Sequence, residues 1–535
     1  MQIVSSAWEQ ASRETLLPEM LVELTYQVTD PTIPDEAIVT GTNADANSRI
    51  GTLLSDPSAV ERKYGVLGWN AWGLDGSFDY YDPAYRQDSF MSYYYSQSTN
   101  PTWATGANPE IVISFSELRD SVLPGVRITW SRAFNEWASS FRVTAYRGSS
   151  IVATTTITGN TSVVSDVEMT MTGYNKIVIS ILAWSVPYGL ARCSEIHLGS
   201  TSVFLKDDLL GYTHSQTADL LSATLPNNTV SFRLRNERGQ WNPDNPEGRG
   251  QYLLDQQEVR VRYGMNLPDG IEWIDGGVFW LSEWNVPSNG LEASFTARDI
   301  LTFMNEAYTG ITTGTFYEIA ESALGQAAFP KLSTGADSYV LDPVLREHEG
   351  SIESSLTISE VLQLLAHASN CVIYQDRRGT LHIEPWNPQY SGFVIDQRIS
   401  YSHPEYEISK PVKAVSVGYG NDLRAVVQHS SRGETQTIDN ELIRNVGDAT
   451  RVGEKAIEIL RNRKVISGEF RADLRVDCLD SIIVTSKYAS NIIALSNVEY
   501  SNSGGAFRGR YTGRVVSVNL KTAPYYVGEL YTGEV

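Results

Sequence analysis

The chain has 535 residues, with 41% hydrophobic and 20% charged side chains, and 63 acidic against 42 basic groups leave a net charge of −21. That length predicts about two to four domains. The acidity argues against a surface that grips nucleic acid, which needs Lys/Arg patches, but not against one past which DNA slides, and it also serves solubility.

The N-terminal stretch MQIVSSAWEQASRETLLPEM has neither a basic nor an apolar leader region, and no apolar run approaches the ~20 residues that span a bilayer. A protein made in the cytoplasm, without signal peptide or membrane span, is expected. Cys193, Cys371 and Cys478 are far apart and none sits in a CxxC, so a disulfide framework or zinc site is not expected.

From residue 56 to 198 the hydrophobic period is two. Apolar residues alternate at Ile111, Ile113 and Phe115, at Val126, Ile128 and Trp130, and at Phe141, Val143 and Ala145. They do so again at Val167, Met169 and Met171 and at Ile177, Ile179 and Ile181. Short half-buried strands with turn signals between them predict a jelly-roll-like β-sandwich. Trp69, Trp72, Tyr80, Tyr81, Tyr93, Tyr94 and Tyr95 enrich its first third in aromatic residues. Such residues suit either stacking on sugar faces or packing at a domain or subunit contact; Trp130 and Trp184 sit in strands and read as core.

Next comes NERGQWNPDNPEGRGQY, residues 236–252, between the strand-like runs VSFRLRN and EVRVRYG. It fails as a calcium loop: counting from Asp244, positions three and five are Pro246 and Gly248, which offer no ligand side chains. It reads as a long strand connection, its proline φ angles fixed, its glycines permissive, and Trp241 a plug.

Helices are expected late. Thr315 with Glu318, and Thr357 with Glu360, are capping-box pairs ahead of apolar stripes. A third stripe runs through Val452, Ala456, Ile459 and Leu460. Between the second and third lies a hairpin, NCVIYQDRRGTLHIEP, turning at Asp376 to Gly379. EVRVRYG (258–264) and AVSVGYG (414–420) share a V-x-V-x-Y-G core, either chance likeness of two strands or the trace of a duplication.

Enzyme signatures are missing. No two of the seven histidines stand at i,i+2 or i,i+4, and there is no G-x-S-x-G elbow, phosphate loop or dinucleotide fingerprint. No catalytic residue, metal or cofactor is expected.

The order of motifs after residue 199 resembles the hub proteins of bacteriophage tails. It comprises a strand ending in Asn236 and Gly239, the loop Trp241-Asn242-Pro243, and a strand ending in Tyr263-Gly264. Then come Gly277, Phe279, Leu281 and Trp284, and the run Ala297-Arg298-Asp299 at an expected helix start. The D-x-x-G hairpin and the closing β-rich segment extend the likeness to the end of the chain. The resemblance implies a mainly β fold with a few helices: two tube-like β-barrel domains, at 1–55 with 199–310 and at 396–535, and a small α/β domain at 311–395. It also implies a homotrimeric ring at the distal end of the tail tube, in the virion tail. Tube or distal tail proteins would lie above it, and a spike, fibre or tape-measure protein at or below it. Viral DNA would leave through its lumen without specific binding. The insertion at 56–198 resembles galactose-binding-like (discoidin-type) jelly rolls, which implies the alternative of a host-adsorption protein that takes cell-wall saccharide.

Overall fold

The computed structural model describes residues 2–14, 18–28, 36–42, 63–65, 78–80, 90–96, 103, 108–120, 123–131, 134–205, 208–245, 248–250, 253–268, 270–287, 290–327, 338–387, 390–420, 423–503 and 506–520. It is mainly β, as the periodicity predicts. Among the described residues the sheets are open. Where two separate barrels are expected, strands from both ends of the chain form one large sheet.

That sheet runs Ser200–Phe204, Met20–Val28, Glu258–Leu267, Gly270–Asn285, Glu292–Arg298, Asn227–Arg235, Leu209–Thr217, then Ala489–Ser503, Ala506–Leu520, Lys464–Arg471 and Glu405–Ile408, with a branch from Ala489–Ser503 through Ser481–Thr485 to Tyr390–Ile395. The join between early and late parts is antiparallel, from Tyr212 opposite Asn502 to Thr217 opposite Asn497. One hydrophobic core serves both parts: Val230, Phe279 and Tyr263 pack in the same cluster as Ile466, Phe470, Val498 and Tyr500. Closing two barrels would divide that core; pairing along the join keeps it whole.

A second core belongs to an α/β unit. Its helices are α2 (Phe316–Gln326), α3 (Ile358–Ser369) and α4 (Val446–Leu460), α1 being the N-terminal Ser6–Arg13. Both expected capping boxes are present, with the Thr315 and Thr357 hydroxyls accepting from the N–H of Glu318 and Glu360. Helix α4 begins earlier than its apolar stripe suggests, because Asn445 caps it through the Asp448 N–H. Helix α1 has a polar sequence that hides a single buried anchor, Trp8. Its last carbonyls, on Ser12 and Glu14, accept from Arg471 at 2.7 Å each, a cation at the negative end of a helix.

The strand Gly270–Asn285 divides its side chains between the two cores. Phe279 and Leu281 enter the sheet core; Val278 and Trp280 face the helices. The V-x-V-x-Y-G copies occupy different settings. Val259, Val261 and Tyr263 lie in the large sheet, and Gly264 continues that strand under Trp273 rather than turning. Val415 and Val417 lie in a three-stranded sheet under α4, and Gly420 does turn, at φ 53°. Residues 412–460 thus pack with the α/β unit, because the stripe of α4 needs that sheet to cover it.

The inserted sandwich faces a five-stranded sheet, Ile38–Thr42, Glu110–Arg119, Tyr174–Trp184, Ala138–Arg147, Ser150–Thr158, against a four-stranded one. Ile38–Thr42 pairs with Glu110–Arg119, so the sandwich takes in a strand that precedes residue 56.

Trp241 is fully buried in the chain's own core, its ring centroid 5.0 Å from Phe295, 5.8 Å from Phe204 and 6.1 Å from Tyr26. The Asn236 side chain ties the loop to the turn before Glu292–Arg298, accepting from the Trp241 N–H at 3.0 Å and donating to the Gly290 carbonyl at 3.1 Å. Gly250 is required by close approach: a Cβ there would stand 2.2 Å from the Trp241 carbonyl oxygen. Trp241→Ala should destabilise the sheet by about 3–5 kcal/mol, the range for emptying a buried aromatic site. A chemical denaturation midpoint unchanged from wild type would contradict this.

Candidate functional site

The main described cavity, about 520 Å³, lies where the large sheet, the α/β hairpin and the 477–480 loop meet. Its floor is Arg377, at the turn of the D-x-x-G hairpin. The turn is set locally: the Asp376 carboxylate accepts from the N–H of Arg378 and Thr380 at 2.9 Å each, and Gly379 takes φ 92°. This aims Arg377 away from its own unit and into the sheet.

The guanidinium is almost wholly buried and reaches both parts of the sheet. It donates to Asp477 at 2.7 and 2.8 Å and to the Val476 carbonyl at 3.2 Å, on the late side. On the early side it donates to the Asp275 carbonyl at 2.9 Å and lies 5.6 Å from the Tyr263 ring centre. Asp477 also accepts from Gln2 and Gln216 at 3.1 Å each. Burial works against the charge on Asp477, but Arg377 and these donors prevail and hold its carboxyl below the usual range. For Asp480, burial and the neighbouring Asp477 charge push the carboxyl up.

A chain of buried hydrogen bonds continues inward. His214 Nε2 lies 2.7 Å from the Asn228 side-chain oxygen and 3.3 Å from Gln216 Nε2, and Nδ1 lies 2.7 Å from the Tyr263 hydroxyl. The Tyr263 hydroxyl in turn is bonded to that of Tyr212, also at 2.7 Å. Burial lowers His214 to about 4, so the imidazole is neutral at pH 7. Asn228 also touches Asp299, its N–H donating to Asp299 Oδ2 at 2.9 Å. Burial raises Asp299 to about 6 against the hydrogen bonds that favour its ionised form.

These groups staple elements together. Burial raises the Cys371 thiol to about 11 and raises Cys478 as well, so neither is a ready thiolate. No group of three or more His, Cys, Asp or Glu among the described residues is arranged to hold a metal ion. No described helix is long and apolar enough to cross a membrane.

Of the sequence-selected residues, Asn236, Gly239, Trp241, Asn242 and Pro243 form the plug loop. Tyr263 and Asp299 belong to the buried network. Gly264 lies against Trp273, Trp284 is partly exposed, and Arg298 pairs with Glu283 at 3.1 Å. Asp299 leads into a short 3₁₀ turn, Ile300–Phe303, where a helix is expected. Trp69, Trp72 and Tyr81 lie outside the described residues, and Tyr80, Tyr93, Tyr94 and Tyr95 are described as strand backbone only. Trp130 and Trp184 are fully buried, edge to face at 6.0 Å, and offer no sugar platform. Arg377, Asp477, His214 and Asn228 were not singled out by motif; the one available signal was the arginine inside the D-x-x-G turn.

No family model and no curated protein matches the chain. Among solved structures it is similar to the 43 kDa tail protein of prophage MuSo2 from Shewanella oneidensis, at 12% identity over 58% of this chain and 94% of that one, TM-score 0.41. It is also similar to a tail protein from Neisseria meningitidis MC58, at 13% identity, 60% and 93% coverage and TM-score 0.40. A third is prophage tail protein gp18 from Listeria monocytogenes EGD-e, at 12% identity, 62% and 95% coverage and TM-score 0.37.

Removing one member of the buried pair leaves the other charge desolvated. Arg377→Met should therefore cost about 3–5 kcal/mol, with Arg377→Met/Asp477→Asn recovering part of the loss; equal midpoints for the single and double variants would refute this. The two titrating neighbours of Asn228 act in opposite directions. Asp299, raised, contributes stability at pH 4 that is lost as pH rises toward 6; His214, lowered, contributes stability above pH 6.5 that is lost as pH falls toward 4. Each is worth about 3 kcal/mol, so they nearly cancel. Asp299→Asn should leave a fold that weakens on acidification through this window, and His214→Gln one that weakens on alkalinisation. Denaturation midpoints between pH 4 and 6.5 would show the opposed slopes; parallel slopes would exclude the balance.

Proposed function

We propose that this chain is a structural, non-catalytic subunit of a bacteriophage tail, the hub at the distal end of the tail tube. Three copies close into a ring, with tube proteins above and a spike, fibre or tape-measure protein at or below it. The observation that carries this reading is the open large sheet, whose end strands, Ser200–Phe204 and Glu405–Ile408, have no described partner on their outer sides. Open edge strands at opposite ends of a sheet can close by head-to-tail pairing between copies.

The late edge has the right bias for this. Tyr406 and Ile408 are exposed at 44% and 64% on the face that continues the core, so apolar surface runs out to the rim. Glu405 and Glu407 lie on the other face. Two such strands set antiparallel about Tyr406 would place glutamate opposite glutamate, which is destabilising. The edge therefore disfavours a second copy of itself and favours a different strand, which yields a ring. The motif order around Trp241 supports the same reading, and a net charge of −21 suits a lumen that repels passing phosphates.

The edge also supplies its own test. Ser409 N–H bonds inward to the Arg463 carbonyl, so by alternation the N–H groups of Tyr406 and Ile408 point outward. Tyr406→Pro removes one outward donor at a position where an edge strand tolerates proline. The variant is expected to keep the wild-type circular dichroism spectrum and to lose the three-chain species in native mass spectrometry. A wild-type protein that stays single-chain and is not incorporated as a ring in isolated tails would overturn the reading.

A further inference from the structure

The cavity where the large sheet, the hairpin and the 477–480 loop meet has the size and lining of a ligand site. Its volume of about 520 Å³ lies within the ~300–1,000 Å³ of small-molecule pockets. Five carboxylates line it, Asp299, Asp376, Glu384, Asp477 and Asp480, against one guanidinium, Arg377. That guanidinium is already engaged with Asp477 and with the Val476 and Asp275 carbonyls. The excess of negative charge is therefore local to the cavity and not only an average over the chain.

The carboxylates stand on two walls. Asp376 and Glu384 belong to the hairpin and keep 31% and 39% of their side chains exposed, so a ligand can reach them. Asp477 and Asp480 belong to the loop, where Asp480 Oδ2 accepts from the Asp477 N–H at 2.8 Å. The walls are joined by Trp386, whose Nε1–H donates to the Leu479 carbonyl at 3.1 Å and so fixes the indole as a side of the cavity. They also converge on Tyr374. Its hydroxyl donates to Glu384 at 2.7 Å, and burial, then Glu384, Asp376 and Asp477, all push it up.

We propose that this cavity binds a slim aliphatic diamine or polyamine, with a primary ammonium group on each acidic wall. Three features select that chemistry. A primary ammonium offers three donors and no acceptor, which suits walls of carboxylate oxygens; a quaternary ammonium offers none. Trp386 and Tyr374 add aromatic rings, which attract cations and pack against methylene stems. The acids are also spread out: among the described residues no three are gathered as a metal ion requires, so the cation that fits carries its charges apart. Such a ligand bridges hairpin and loop beside the Arg377–Asp477 pair and strengthens the seat of the α/β unit on the sheet. The proposal concerns a single chain and does not depend on the ring reading.

Calorimetric titration of the full-length chain with 1,5-diaminopentane tests it at pH 8, where alkyl ammonium groups are charged and ordinary imidazoles are not. One molecule per chain should bind, more weakly as salt is added, and should raise the chemical denaturation midpoint. 1-Aminopentane, with one charge, and 1,5-pentanediol, with none, should bind at least about tenfold more weakly, the loss of one charged hydrogen-bonded contact. Glu384→Gln and Asp480→Asn each remove the charge of one carboxylate, on opposite walls, and retain an oxygen to accept from Tyr374 or from the Asp477 N–H. Each should weaken the diamine by about the same factor. Glu458→Gln, which removes an exposed charge of α4 that does not line the cavity, should bind it as the wild type does. No binding to the wild type, a monoamine as tight as the diamine, or equal affinity of all three variants would overturn the proposal; the last would mark general attraction to an acidic surface.

Discussion

The fold depends on a nearly buried guanidinium that ties together elements far apart in sequence. Arg377 is carried by the α/β hairpin, yet it donates to the Asp275 carbonyl in the large sheet and to Asp477 and the Val476 carbonyl in the loop between Lys464–Arg471 and Ser481–Thr485. Desolvating a cation costs several kcal/mol in any protein, so the site holds together only when all three elements are in place at once. Arg377 thereby acts as a registration pin. The sheet core is apolar and tolerant of sliding; a buried charge with fixed acceptors is not.

The same demand for completeness explains the network next to it. Tyr212, Tyr263, His214 and Asn228 each use a donor or acceptor that no solvent could replace. Burial keeps the imidazole neutral at pH 7, and burial lets the nearby Asp299 hold its proton up to about pH 6 despite the adjacent Arg298 charge. These bonds join strands far apart in sequence, so the network forms only once the sheet is assembled.

Much of this was legible in the sequence where local physics decides. The period-two runs of the sandwich and both capping boxes read directly, because each depends on residues within a few positions of one another. The α4 start was less clear, since Asn445 caps from outside the apolar stripe. The joining of early and late strands into one sheet was not legible. It rests on pairing between residues such as Tyr212 and Asn502, almost three hundred positions apart, and period two says which face is buried without naming the neighbour. The run from Gly277 to Leu281 shows the same limit. Its motif spacing marks Phe279 and Leu281, yet Val278 and Trp280 between them are equally buried, against a different core. Arg377 was hidden because DRRG reads as an exposed turn until the sheet it enters is known.

Among the open edges of the described sheets, Glu405–Ile408 and Ser150–Thr158 show two different forms of protection. Glu405 and Glu407 put like charges in the path of a symmetric mate, so that strand resists pairing with its own copy. Ser150–Thr158 carries no charge, and its ladder breaks instead at Val152, between the pairs Ala145 with Ala153 and Tyr146 with Ile151. The two strands lie in separate sheets with separate cores, so either form of protection can be removed without disturbing the other. Edge protection is therefore a local decision, made by charge placement in one strand and by one extra residue in the other, whereas the buried network that joins the early and late strands is a decision of the whole chain.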